Sequence, residues 1–361
     1  MRPLYTLSPG VSSRFRKKRL SFDALCVILK EKTQGRHSMK LLAETLLPSK
    51  TRSVHASSVC AVPGPALLAV WFGGDHESAD DVEIWLSRSE PDENGRFSRW
   101  SDPVQMSRTT DEACWNPVLF ADPRTGGRDV TLFFKRGHRI TLWKTFVRRS
   151  RDGGLTWSEE EELVPGDESG GRGPVKDKPI LTSRGLLVAG ASHENPDGTV
   201  WRAFFDRSED GGLTFSRSEY LRTARPVRLI QPSLWEDGGG LHALLRSDSG
   251  RIWRTDSPDG GATWSEAYPT DLSNNNSGID LTALPDGRIA LACNPVGSGW
   301  GARTPLSLLV SRDGGESFIR ELDFIRGPGE YSYPALIYAE SRLICSFTWK
   351  RKQIMVAEVE V

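Results

Sequence analysis

The chain has 361 residues with 47 basic and 47 acidic side chains, so its net charge is zero and nothing in it calls for nucleic acid or another polyelectrolyte. With 37% hydrophobic residues, 35 glycines and 12 tryptophans it can bury a sizeable core, and no apolar run approaches the ~18 residues of a membrane span. Its five cysteines (Cys26, Cys60, Cys114, Cys293 and Cys345) form no CxxC pair or Cys/His cluster, which points to reduced thiols in a cytoplasmic protein without metal or cofactor.

The first 38 residues stand apart. Arg14-Phe15-Arg16-Lys17-Lys18-Arg19 is a basic run, and Ala24 to Leu29 is too short for a secretory apolar segment. Residues 1–38 therefore read as a disordered extension, or alternatively a basic targeting arm, ahead of a domain over 39–361. Met39-Lys40-Leu41-Leu42 would serve as an ordinary start.

Short apolar runs then follow one another: Pro65 to Phe72, Asp129 to Phe134, Gly185 to Gly190, Leu241 to Arg246, Asp286 to Cys293 and Leu343 to Trp349. Most are introduced by Gly, Pro or Asp, which mark strand boundaries. Between them an octapeptide, Ser-x-Asp-Gly-Gly-x-Thr/Ser-Trp/Phe, returns four times, at Ser150–Trp157, Ser208–Phe215, Ser257–Trp264 and Ser311–Phe318. A worn copy keeps Ser89, Asn94, Gly95 and Trp100. The period, about 50 to 58 residues, is that of a repeat architecture. Asp-Gly-Gly suits a tight turn, because glycine accepts positive φ and the carboxylate can accept turn amides. Each period thus holds several short strands and a hairpin, one four-stranded blade. The length from Ser53 to Val361 predicts a six-bladed β-propeller of four-stranded antiparallel blades. Five blades carry a hairpin copy, and the sixth is expected to close the ring with the C-terminal strands.

A propeller gathers the ends of its inner strands at a channel mouth, so polar residues in apolar settings are the candidates for a site. They are His55, Asp80 and Asp81, Asn116, Lys176, Lys178, Gln231, Arg246, Asn275, Asn276, Asp280, Arg303 and Tyr331. For any one of them a satisfied structural polar group is the simpler reading. Recurrence at the same point of successive blades argues for a shared site.

The octapeptide is the Asp-box, or bacterial neuraminidase repeat, and residues from about 50 to 361 resemble the sialidase superfamily. More narrowly, the chain is similar to sialidase-like proteins with a divergent BNR repeat domain. His-Ala-Ser at 55–57, Trp-Asn-Pro at 115–117, Gln-Pro-Ser at 231–233, Asn-Ser-Gly at 276–278 and Glu-Tyr-Ser-Tyr-Pro at 330–334 carry this resemblance. It implies three arginines on a substrate carboxylate, a Tyr nucleophile activated by a Glu, and an Asp acid/base, a known exception to the two-carboxylate scheme. On this chain Arg246 falls on the second arginine, Arg303 on the third, Tyr331 on the nucleophile and Asp80 or Asp81 on the acid/base. Asn116, Lys178, Asn276 and Asp280 are the further substrate-binding candidates. Three positions depart from the pattern: His55 stands for the first arginine, Gln231 for the activating Glu, and Thr348 or Trp349 for the Glu that holds the first arginine.

These departures bear on chemistry. A phenol needs a base to act as nucleophile at neutral pH, and Gln cannot take a proton. Losing a general base typically costs ~10²- to 10⁴-fold in rate. Two arginines can still clamp a carboxylate, and His55 could join them when charged or act as an acid/base itself. The expected partner is a glycan, with no cofactor. The leading reading is a sialidase-like exo-glycosidase on a terminal acidic sugar. The alternatives are a lyase acting on uronic acids and a carbohydrate-binding propeller without catalysis.

Overall fold

The computed structural model describes residues 39–361 apart from Pro196; the expectation for residues 1–38 falls outside them. Strand β1 (Lys40–Leu46) is followed by six blades in chain order. Blade one is β2 (Ser53–Val62), β3 (Ala66–Gly74), β4 (Glu83–Ser89) and β5 (Val104–Gln105); blade two is β6 (Cys114–Ala121), β7 (Val130–Arg136), β8 (Lys144–Ser150) and β9 (Glu161–Glu162). Blade three is β10 (Ile180–Leu181), β11 (Leu187–Glu194), β12 (Trp201–Ser208) and β13 (Ser216–Arg217). Blade four is β14 (Leu229–Asp237), β15 (Gly240–Ser247), β16 (Arg251–Ser257) and β17 (Tyr268–Ser273). Blade five is β18 (Asp280–Ala283), β19 (Ile289–Cys293), β20 (Leu306–Ser311) and β21 (Ile319–Ile325). Blade six is β22 (Tyr331–Ala339), β23 (Arg342–Trp349) and β24 (Gln353–Glu360), and its fourth strand is β1.

The molecule is thus a six-bladed propeller of four-stranded antiparallel blades. The C-terminal strands close the ring, as expected, with one addition from the start of the domain. The C-terminal strands supply three of the four strands of blade six, and β1 pairs antiparallel with β24, Lys40 opposite Glu360 and Leu46 opposite Met355. The six apolar runs are the second strands of the six blades, from β3 to β23. These strands are covered on both faces by neighbouring blades, so they read as continuous apolar text rather than as alternation. Gly190, in the middle of β11, shows how closely blades pack: a Cβ there would collide with the Pro232 carbonyl of blade four.

Every intact octapeptide joins the third strand of a blade to the fourth. In the first copy the Asp152 carboxylate accepts from the Thr156 amide at 2.9 Å and the Thr156 hydroxyl at 2.5 Å, while Ser150 Oγ accepts from the Gly154 amide at 2.8 Å. Asp210, Asp259 and Asp313 repeat the arrangement with Thr214, Thr263 and Ser317. These hydrogen bonds lead the forces holding the Asp152 and Asp313 carboxyls down at about 2. The first and third strands of a blade run in the same direction. The turn after strand three therefore lies on the face opposite the start of strand one, and the four carboxylates face away from the channel mouth described next.

Candidate functional site at the channel mouth

One backbone feature recurs in all six blades. Ala56, Asn116, Gln231 and Tyr333 have φ of 52°, 41°, 54° and 54°, and each sits at a register shift near the start of an innermost strand. Lys176 (φ 68°) and Asn276 (φ 58°) hold the same conformation just ahead of the innermost strands of blades three and five. A non-glycine residue in this region costs on the order of 1–3 kcal/mol and tends to mark functional ground. A bulge of this kind re-aims the side chain that follows it. The result is a ring of six re-aimed residues at one mouth of the channel.

Lys176, itself one of the six, ties blades together across the channel. Its ammonium donates to Asp177 Oδ1 at 2.7 Å, to the Pro334 carbonyl at 2.5 Å and to the Ile279 carbonyl, bolting blade three to blades five and six. Lys178 and Asp280 form a second strut. Lys178 Nζ lies 2.9 Å from Asp280 Oδ2, and Asp280 also accepts from Ser233 Oγ at 2.8 Å and the Leu336 amide at 2.7 Å. The sequence pointed to Lys178 and Asp280 as substrate contacts. The structure instead satisfies each with the other and, through Asp280, with Ser233 of blade four and the Leu336 amide of blade six.

Above the bolt, Arg246 is 4% exposed. Its Nε donates to Asn276 Oδ1 at 2.8 Å, and Nη1 donates to Gln231 Oε1 at 3.3 Å and to the Tyr333 hydroxyl at 2.6 Å. Among the described residues no carboxylate lies in ion-pair contact with it. Arg303 faces the same phenol, its guanidinium carbon 5.5 Å from the Tyr333 ring centre. Arg303 is anchored by Glu330 Oε1 at 2.7 Å, and the same oxygen receives Arg351 Nε at 2.8 Å. Burial pushes the Glu330 carboxyl up, but the two guanidiniums outweigh it and hold it below its ordinary value. Arg351 also pairs with Glu77, which arrives in the loop after β3.

His55 completes the wall. Its ring centre is 4.2 Å from that of Tyr333, and Nδ1 meets Thr348 Oγ1 at 2.8 Å. Burial, followed by the fields of Arg351, Arg303, Arg246 and Lys176, holds its pKa well below the ordinary 6.5. His55 is therefore neutral at physiological pH, and Nε2 is buried with no protein partner.

His55, Gln231, Arg246, Asn276 and Arg303 thus come together from blades one, four and five. Asn116 takes the equivalent bulge of blade two. Two further placements differ from the sequence reading. The Tyr331 hydroxyl donates to the Pro328 carbonyl at 3.1 Å and its ring packs in the core of blade six, so the phenol among the arginines belongs to Tyr333. Asp81 spends both oxygens on the Asp75 amide at 3.0 Å, and Asp80 sits 75% exposed beside His138 at 3.6 Å. The loop acid that reaches the arginine cluster is Glu77. Sequence reasoning also missed Arg351, on the β23–β24 turn, and Glu194, at the end of β11. Burial raises the Glu194 carboxyl while Arg246 and Arg228 oppose the rise. Among the described residues no group of three or more His, Cys, Asp or Glu side chains is placed to hold a metal ion.

Comparison with known proteins agrees with this architecture. The profile of the BNR repeat-like domain matches residues 65–345. A protein of unknown function from Dyadobacter fermentans superposes with a TM-score of 0.73 at 14% identity, covering 90% of this chain and 100% of that one. Trypanosoma rangeli sialidase gives 0.66 at 15%, covering 89% of this chain but 59% of the sialidase. A K499G mutant of NanB sialidase from Streptococcus pneumoniae gives 0.65 at 13%, with 86% and 68% covered. No curated protein matches the chain in sequence.

Proposed function

We propose, on the premise that the chain belongs to the BNR repeat-like domain family as a divergent member of the sialidase-like superfamily, that it acts on glycans ending in an acidic sugar, as a sialidase-like exo-glycosidase. The observation that carries this reading is Arg246. A buried cation with no carboxylate in ion-pair contact is expensive to keep, and neutral groups hold this one in a fixed orientation. An incoming carboxylate would supply the missing charge, with Arg303 as the second arm of the clamp. Tyr333, 2.6 Å from Arg246, takes the role of nucleophile toward the anomeric carbon. Gln231 can orient the guanidinium but cannot accept the phenol proton, which predicts slow turnover.

His55 favours a second reading. It is neutral, in ring contact with Tyr333, and offers an uncommitted Nε2. In a lyase on a uronic acid, neutral His55 would take the proton beside the carboxylate and the Tyr333 phenol would give its own to the oxygen of the leaving sugar. The C–O bond to the leaving sugar would then break as the C=C bond forms. Incubation with sialosides and with polyuronates separates the two. Release of free sialic acid that disappears in Tyr333→Phe supports the glycosidase. A product with the ultraviolet absorbance of an unsaturated uronate, abolished in His55→Ala, overturns it in favour of the lyase. Saturable binding of either sugar without any product leaves a carbohydrate-binding propeller.

A further inference from the structure

The positive surface on this face does not end at the channel mouth. The segment joining β13 to β14 includes Arg222-Thr223-Ala224-Arg225-Pro226-Val227-Arg228, three arginines with no acidic residue among them. It forms one wall of a cleft of about 750 Å³, whose other wall is the start of β12 at Val200, Trp201 and Arg202. Arg202 and Arg222 are exposed, and among the described residues neither has a carboxylate in ion-pair contact. Arg228 is the exception, with Asp248 at 2.8 Å. Tyr220 also lines the cleft and carries the Arg202 guanidinium 5.5 Å from its ring centre.

Trp201 joins this cleft to the central site. The guanidinium carbon of Arg246 lies 5.4 Å from its ring centre, and that of Arg228 lies 4.8 Å from the same ring. One indole therefore touches the buried arginine of the mouth and the basic segment of the cleft. A sugar chain entering the mouth has this cleft as its neighbour, with no blade in between. The whole protein carries no net charge, so the excess of arginine here is a local property of the cleft. Aromatic faces beside fixed guanidiniums suit sugar rings that bear anionic groups.

We infer that the cleft is a second subsite for the same ligand, an oligosaccharide carrying anionic groups on successive residues. Its terminal acidic sugar would occupy the Arg246 mouth and its next residues would lie against Arg202 and Arg222. This inference rests on the reading of the mouth as an acidic-sugar site. Carboxylate and sulfate share the required chemistry, and a carboxylated ladder is the direct probe.

The test is titration calorimetry of the whole protein with two ladders, sialic acid and its α2,8-linked dimer and tetramer, and galacturonic acid and its dimer and tetramer. A neutral tetrasaccharide and sulfated galactose oligomers complete the set. At least one acidic tetramer should bind about tenfold or more tightly than its monomer, the worth of one added charge-assisted contact. That ratio should fall toward one in Arg202→Ala/Arg222→Ala and shrink as salt is raised. Both side chains are exposed, so melting temperature serves as the folding control. Monomer binding that is lost in Arg246→Ala, with no gain on lengthening, overturns the cleft and leaves the mouth intact. A gain that survives the double variant, or that the neutral tetrasaccharide reproduces, also overturns it. No binding of any acidic probe overturns both readings. A length-dependent gain found only with the sulfated oligomers assigns the cleft to sulfate and keeps it as an anion subsite.

Discussion

Tyr331 and Tyr333 lie two residues apart on one strand, yet one phenol is tied to a carbonyl inside its blade and the other to a buried guanidinium. Alternation along a regular strand would place both on the same side; the register shift between Ser332 and Ala335, with Tyr333 at positive φ, sends the second into the mouth. The sequence motif named the right pentapeptide but could not resolve the bulge within it. Phenylalanine at each position tests the difference. Tyr333→Phe should reduce turnover at least ~10²-fold, as expected for loss of a reacting group. Tyr331→Phe should cost about 1 kcal/mol of stability for one neutral hydrogen bond and spare the kinetics. Arg246→Ala should weaken binding of an acidic sugar by about 1.5–3 kcal/mol, roughly 10- to 150-fold, while a neutral sugar changes little; calorimetry reads both. Gln231→Glu would return a proton acceptor beside Tyr333 and should speed hydrolysis, and failure to do so in single-turnover assays would count against the phenol as nucleophile. Arginine and glutamine at 246 and 231 could be read from sequence because neighbouring signatures frame them. Arg351 and Glu194 could not, since one sits in a hairpin turn and the other at the end of an ordinary strand, with no motif around either.

At the level of the strand, two devices do different work on opposite faces. The Asp-box turn is self-contained, its carboxylate consumed by its own loop. Asp259→Ala should therefore lower stability by about 1 kcal/mol, discounted for its exposure, without touching ligand binding. The bulge ring does the reverse and spends backbone strain to aim side chains. The first device was legible because every bond it makes is local to eight residues. The second was legible only in its polar residues, since register is a property of two strands and not of one. Gly190 marks how little room the blades leave between them. Gly190→Ala should cost about 1–3 kcal/mol through overpacking against Pro232, seen as an earlier thermal transition. His242, on the Asp-box face, lies between Asp256 Oδ1 at 2.5 Å and Asp237 Oδ1 at 3.0 Å, with Arg254 also against the ring. Burial pushes its pKa down, but the hydrogen bonds to Asp256 and Asp237 win and raise it. A raised value means that its contribution to stability is complete below the unfolded pKa of ~6.5 and is lost as pH climbs through the folded value. The difference in melting temperature between the wild type and His242→Gln should narrow as buffer moves from mildly acidic to alkaline; a constant difference would contradict the linkage.

For the whole molecule, repetition made the blade count readable: six apolar second strands and five hairpin copies leave little freedom in the architecture. How the ring closes was not readable. β1 carries no Asp-box and its burial is modest, so nothing local reveals that its partner lies at the other end of the chain. A protein beginning at Leu47 should expose the ladder edge of β24, lose on the order of 3–5 kcal/mol from several unmade bonds, and associate through that edge. Thermal melts and light scattering would read both effects. The same closure sets an order of events on the ribosome. Among the propeller's strands, β1 is translated first and β24 last. Until β24 emerges, β1 has no strand to pair with, while blades one to five can assemble in its absence. The final stitch therefore waits for β24, and a propeller interrupted before it would be released as an open ring with two unpaired edges.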